Sequence, residues 1–392
     1  MDLAAITVEQ LERDPYPIYA ALRREAPVAY VPCLDVWMVT RWADVDAACN
    51  DPDRFPAHVA DSPTDRALGG VSMMTTDGEP AKRRRRPFDT TLRPRAVEAT
   101  MPEVFNRLCG TRLDAIEREG RAELVKDYFE PISVLSLAHA IGIADLVDVA
   151  TLLRWFAGLA AGVSNYEDDP AKTAFCEGVS TEIDAVLRPR FTKALENPDD
   201  SLLSNLVHAT TGSLDERLAW AMPSLKLVLL GGLQEPAHGG ATIAHCLLND
   251  PAQLNAVRND PSLVPAAVEE GLRWTAPIGN LLRGVAPGTS LGGVALPDDS
   301  RVILIVASAN RDAEIWGPTA DAFDVHRPRR THLSFATGPH YCIGHHFARV
   351  QLRTAIRTLL ERFPRLRLDP DHEVAYRGHE YRAPISVPVL AR

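Results

Sequence analysis

One stretch, Phe335-Ala336-Thr337-Gly338-Pro339-His340-Tyr341-Cys342-Ile343-Gly344-His345-His346-Phe347-Ala348-Arg349, constrains the chain more than any other. It sets a single cysteine in a turn-rich loop just before a helix. Ala348, Leu352, Ala355 and Leu359 recur at helical spacing, and Pro364 marks the stop. A cysteine at a helix N-terminus faces unpaired backbone N–H groups and the positive end of the dipole, and both favour thiolate. An anionic sulfur so held is a ligand for a soft or borderline metal. The bland alternative for a lone cysteine is an inert core residue.

The surroundings of Cys342 decide between these. Phe335, Gly338, His340, Cys342, Gly344 and Ala348 stand at spacings that resemble the haem-ligating loop of the cytochromes P450. The resemblance implies that Phe335 packs beside the sulfur and restricts water. It implies that Gly338 and Gly344 let the backbone approach a porphyrin closely, and that His340 donates to a haem propionate. Cys342 would bind iron as thiolate and push electron density toward dioxygen.

The 392 residues suffice for one large domain, and no linker or composition shift divides them, so a single domain over 1–392 is expected. A formal charge of −10 argues against a nucleic-acid-binding surface. No membrane span is expected: the longest apolar run, 146–163, is interrupted by Asp148 and Arg154. The N-terminus does not read as a secretory signal. Six widely spaced cysteines form neither a disulfide framework nor a zinc site, which fits a reducing cytoplasm.

Along the chain, 18–24 reads as a helix, 28–31 and 36–40 as a strand hairpin, and 42–50 as a helix. Residues 56–75 read as irregular, and 97–210 as mostly helical. The basic run Lys82-Arg83-Arg84-Arg85-Arg86 is ordinarily a solvated face. Its frame, from Asp77 to Arg95, resembles the P450 C helix. That likeness puts Arg85 at a propionate-binding place and Ala81 where a second such residue, a histidine, is usual. The other arginines would face an acidic electron donor.

Ser213 to Glu216 is a capping-box pattern opening a helix that continues to Leu248, with Pro223 able to split off a short leading piece. The segment resembles the long distal helix of the family. Where the family carries an acid and an alcohol, this chain has Gln234 and Glu235, followed by Pro236. Pro236 frees the Gly232 carbonyl, so a kink with an inserted water is expected. Gly231 and Gly232 would leave room above the iron. Glu235, if it points inward, would relay protons, with Gln234 orienting the water. Glu270 and Arg273 share a helix face and resemble the structural Glu-x-x-Arg pair, with Arg327 the candidate third member. Arg283 and His332 match further propionate places. Strands are expected at 281–285, 294–296 and 302–307, and a final hairpin over 380–389 would reach the substrate pocket.

The resemblance thus implies a mainly α fold with small β-sheets (α+β). Haem b would lie between the long distal helix and the cysteine-loop helix. The activity implied is monooxygenation with O2, by hydroxylation or O-demethylation, of a small hydrophobic substrate. Electrons would come from a separate ferredoxin-type or flavin/iron–sulfur reductase donor. Two alternatives remain open at this point: a peroxide-driven or non-oxygenating P450, because the acid–alcohol pair is replaced, and a haem-binding sensor or carrier.

Overall fold

The structure is a computed structural model that describes residues 1–166 and 168–392. Helices dominate, and the sheets are small. The largest sheet has four strands in the order Val28–Val31, Val36–Val39, Arg301–Leu304, Leu281–Gly284. Its central pair, Val36–Val39 with Arg301–Leu304, is parallel, and both outer pairs are antiparallel. Valine, isoleucine and leucine on these strands fill one apolar cluster beneath the sheet. Helices between 63 and 233 build a second cluster, and helices from 102 to 363 with the C-terminal strand build a third.

Several elements differ from the reading of the sequence. Residues 56–75 contain a helix, Pro63–Leu68. Pro63 and Gly69, which read as loop signals, are its start and stop. Ser62 caps it by accepting from the Thr64 N–H, and Gly69 takes the left-handed conformation (φ +76°) that ends it. Val302 to Ala307 is a strand only as far as Leu304 and then turns into the short helix Val306–Ala309. The C-terminal hairpin lies earlier than expected, pairing Tyr376–Arg377 with Ala383–Pro384. The last strand, Pro388–Leu390, instead joins Arg121–Glu123 and Arg367–Leu368.

The distal segment begins as expected. Ser213 and Glu216 form a full capping box, and the helix runs Leu214–Leu233 straight through Pro223. The kink is sharper than expected and becomes a break. Gln234 leaves helical geometry (φ −114°, ψ −28°), and a new helix, Glu235–Asn249, starts with Pro236 in its first turn. A proline there forfeits no hydrogen bond, which is why the break falls just before it. No helix of the described residues is long and apolar enough to cross a membrane.

Candidate active site

Where the three apolar clusters meet, the protein holds a cavity of about 280 Å³. Cys342, Gly344, Phe335 and His340 line it from one side; Arg85 and Arg283 from another; Gly231, Glu235 and Pro236 from the distal helices. The turn of the Tyr376–Pro384 hairpin closes it with Glu380 and Tyr381.

Cys342 sits two residues before Gly344, the N-cap of the helix His345–Arg362. Its N–H donates to the Phe335 carbonyl at 2.9 Å, closing the loop on itself. Burial pushes its thiol pKa up, while the Gly344 N–H and the Arg85 and Arg349 guanidiniums pull it down. Burial is the larger influence, opposed by the helix end and the two guanidiniums. A bound cation would have to supply the rest. The Arg349 guanidinium stacks on the Phe335 ring at 4.4 Å and is gripped by both oxygens of Glu269 at 2.7 and 2.9 Å.

The loop is tied to a buried ion triad. Arg273 bonds both oxygens of Glu270 at 2.8 Å, and Arg327 reaches the same carboxylate at 3.0 Å. Arg327 therefore fills the third place expected of it. Arg273 also donates to the Asn310 carbonyl, and the Asn310 side chain holds Leu333 N–H and Ser334 Oγ, each at 2.8 Å. One hydrogen-bonded chain thus runs from the triad to the start of the cysteine loop.

The polar wall facing the cysteine loop fits an anionic cofactor. Arg283 is 5% exposed and donates to the adjacent Leu282 carbonyl. Burial lowers its pKa, only partly countered by Cys49 and Asp77, and neither forms an ion pair with it. Arg85 donates to the Tyr341 carbonyl at 2.7 Å. His340 binds Asp77 through Nε2 at 2.7 Å, while its buried Nδ1 has no partner. Two haem propionates would supply the missing acceptors.

Other expected residues are placed differently. His332 is buried but does not line the cavity; its Nε2 lies 3.3 Å from Glu269, and its Nδ1 accepts the Ser334 N–H. Burial tends to raise the Glu269 pKa, but His332 and Arg349 outweigh that and hold it at about 2. A carboxylate of the protein thus faces His332. Gly338 (φ +70°) approaches the 49–50 backbone: a Cβ there would lie 2.6 Å from the Cys49 carbonyl oxygen. Its conformation permits that contact. Gly231 does face open space. In the basic run, Arg83 and Arg84 pack over the Trp220 ring, while Lys82, Arg83 and Arg86 remain exposed.

Glu235 is 7% exposed, and neither carboxyl oxygen has a hydrogen-bond partner. Burial raises its pKa to about 8, only partly countered by the N–H groups of Glu235 and Gln234. Gln234 points away from the cavity and donates to Glu130 at 2.5 Å. It does not reach a water beside Glu235, because Glu130 offers a stronger acceptor. The sequence reading missed Tyr166, Glu380 and Tyr381 as wall residues; only the expectation that a C-terminal turn reaches the pocket pointed toward the last two.

Comparisons with known proteins agree with this geometry. A family model described as Cytochrome P450 matches residues 256–377. The chain is 31% identical over 387 residues to 6-deoxyerythronolide B hydroxylase of Saccharopolyspora erythraea, covering 93% of this chain and 94% of that protein. It is 34% identical over 380 residues to cytochrome P450-SU2 of Streptomyces griseolus, covering 93% and 90%. The solved structure of P450BioI, in complex with a hexadec-9Z-enoic acid-ligated acyl carrier protein, matches with a TM-score of 0.89 at 26% identity. That match covers 98% of this chain and 100% of that one.

Proposed function

The chain belongs to the cytochrome P450 family of haem b-binding monooxygenases, and on that footing we propose that it oxygenates a small hydrophobic organic substrate by hydroxylation or O-demethylation. Residues 1–392 would act as one haem domain in the cytoplasm, with electrons from a separate ferredoxin-type or flavin/iron–sulfur donor. The observation that carries the reading is one cavity shared by the Cys342 sulfur and the unpartnered Glu235 carboxyl.

Cys342 would hold the iron, and Arg283, Arg85 and His340 the propionates. His340 already donates from Nε2 to Asp77, so it can donate from Nδ1 to a propionate only as the doubly protonated imidazolium. When bound, the haem supplies dioxygen binding and its reductive activation. Phe335, clamped by Arg349, excludes water from the sulfur. Gly231 keeps the distal wall low enough to admit substrate. Glu235 holds a proton on its carboxyl up to about pH 8 and can release it into the cavity. Gln234 acts indirectly, pinning the helix break to Glu130.

A second reading, peroxide-driven turnover, draws on Gln234 and Glu235 standing where the family carries an acid and an alcohol. The Glu235→Gln variant separates the two, using a ligand found by displacement of the iron-bound water in the Soret band. The relay reading expects unchanged ligand binding, a fall of ~10²-fold or more in coupled turnover, and peroxide release in its place. Coupled turnover at the parent rate would remove Glu235 from the mechanism. Turnover of the parent with peroxide but not with a donor would establish the second reading.

A further inference from the structure

The cavity carries a second carboxyl that oxygen activation leaves unused. Glu380 sits in the turn of the Tyr376–Pro384 hairpin and faces the same space as Glu235. Its backbone is fixed. The Gly279 N–H donates to the Glu380 carbonyl at 2.7 Å, Arg382 N–H to Pro277 at 3.1 Å, and Tyr381 bridges to Ile278. The side chain is therefore presented from a held turn, not from a loose loop.

No counter-charge serves it. Burial and the nearby Glu12 both push its pKa up, to about 7, and no cation among the described residues draws it back down. The neighbouring cations are engaged elsewhere: His379 lies 3.7 Å from Glu12, and Arg382 donates to the Gly378 and Arg13 carbonyls. Around Glu380 stand two phenols, Tyr166 and Tyr381, and beyond them apolar side chains such as Leu137, Val163, Val228 and Ile278. The cavity's basic residues, Arg85, Arg283 and His340, belong to the side assigned to the cofactor. The Glu235 carboxyl, 7% exposed and without a partner on either oxygen, adds to the acidic character. It acts on both Cys342 and Tyr381, while Glu380 acts on Tyr381 and Tyr166. Glu235, Glu380 and Tyr381 all line this one cavity.

We infer that the substrate carries a basic nitrogen whose cationic end pairs with Glu380 beneath the hairpin, while its apolar remainder extends toward Cys342. The inference rests on the monooxygenase reading of this cavity and names its substrate class. A half-buried carboxyl facing a mostly apolar cavity without a partner is unfavourable, and a ligand cation relieves it. The faces of Tyr166 and Tyr381 add cation–π attraction. An anionic substrate would meet two carboxyls and no free cation on this side.

Isothermal titration of the haem-loaded protein tests this with three probes that share a phenethyl group. They are phenethyltrimethylammonium, its uncharged carbon isostere (3,3-dimethylbutyl)benzene, and 3-phenylpropanoate. A quaternary nitrogen cannot ligate iron, so the comparison reports the cavity alone. The cation should bind tightest and the anion weakest. Glu380→Gln should lower the cation-to-isostere affinity ratio by about tenfold or more, about 1.4 kcal/mol, while leaving the isostere's affinity unchanged. Equal binding of cation and isostere by the parent, or an unchanged ratio in the variant, overturns the inference. If the variant loses the isostere as well, the parent's ratio alone decides. Failure of the monooxygenase reading would show separately, as absence of donor-coupled turnover with the affinity ratio intact.

Discussion

The Glu270–Arg273–Arg327 triad makes an uneven demand on its members. Side-chain exposures are 5%, 1% and 8%, so all three charges are held out of water. Two guanidiniums share one carboxylate, leaving a net positive cluster. Glu270→Gln removes the only negative charge and strands both arginines; removing one partner of a buried pair costs ~3–5 kcal/mol. Arg327→Ala is milder. Glu270 keeps two bonds from Arg273 and one from the Asp324 N–H, while Trp316 and Thr319 lose donors to their carbonyls. About 1–3 kcal/mol is expected from those losses. The double variant discards one of the two stranded cations, so it should cost at least ~1 kcal/mol less than the sum of the singles. Urea unfolding followed by far-UV circular dichroism gives the three values. In Glu270→Gln, the thiolate-type Soret band of the ferrous carbon monoxide complex should also fade at lower urea than the helical signal, because the triad is bonded through Asn310 to the cysteine loop. Additivity within ~0.5 kcal/mol, or a loss in Arg327→Ala equal to that in Glu270→Gln, would refute the reasoning.

Three further outcomes follow from the site. Cys342→His should abolish the strongly red-shifted Soret band of the ferrous carbon monoxide complex; a variant that keeps the band would assign iron ligation to another cysteine. Replacing Arg283 and His340 together by leucine should speed haem loss to an apo-globin acceptor, since unpaired propionates would be buried at a cost of several kcal/mol; an unchanged loss rate would count against both contacts. Glu235 has a folded pKa of about 8, above its unfolded value, so its ionisation opposes folding: the penalty is absent at about pH 4, grows as pH rises, and is complete above about pH 8. Glu235→Gln should therefore match the parent's urea midpoint near pH 4 and exceed it at pH 8, and equal midpoints at both would show that Glu235 ionises freely in the fold.

What could be read from the sequence was what neighbours in the chain decide. The strand Val28–Val31 has the expected bounds, because alternation and turn residues are local signals. The capping box at Ser213 is equally local. Glu270 and Arg273 could be paired from their spacing, and Arg327 could be nominated because the usual place for its charge was empty. The misplaced residues share another property: their partners lie far along the chain. Gln234 turns to Glu130, 104 residues away. His332 faces Glu269, and Gly338 is shaped by Cys49 and Asn50. Nothing in the local pattern tells a histidine whether a propionate or a protein carboxylate will meet it. Glu380 escaped for the same reason, since its character comes from the absence of a counter-charge around a packed turn.

The distal break shows how a local rule and a distant contact combine. Pro236 forbids the hydrogen bond to Gly232, which the sequence dictates. Once the helix restarts, Glu235 becomes its first residue, at the positive end of a new dipole that favours the carboxylate. Burial favours the neutral acid, and it prevails: both oxygens lack partners, and the pKa rises to about 8. The opposing influences leave the acid protonated at neutral pH yet close to ionisation, as a proton donor needs to be. A continuous helix would have placed residue 235 within a turn, without that terminal field. A break without burial would have left an ordinary ionised carboxylate. The Gln234–Glu130 bond keeps the break in place, so a residue outside the cavity helps to set the acidity of one within it.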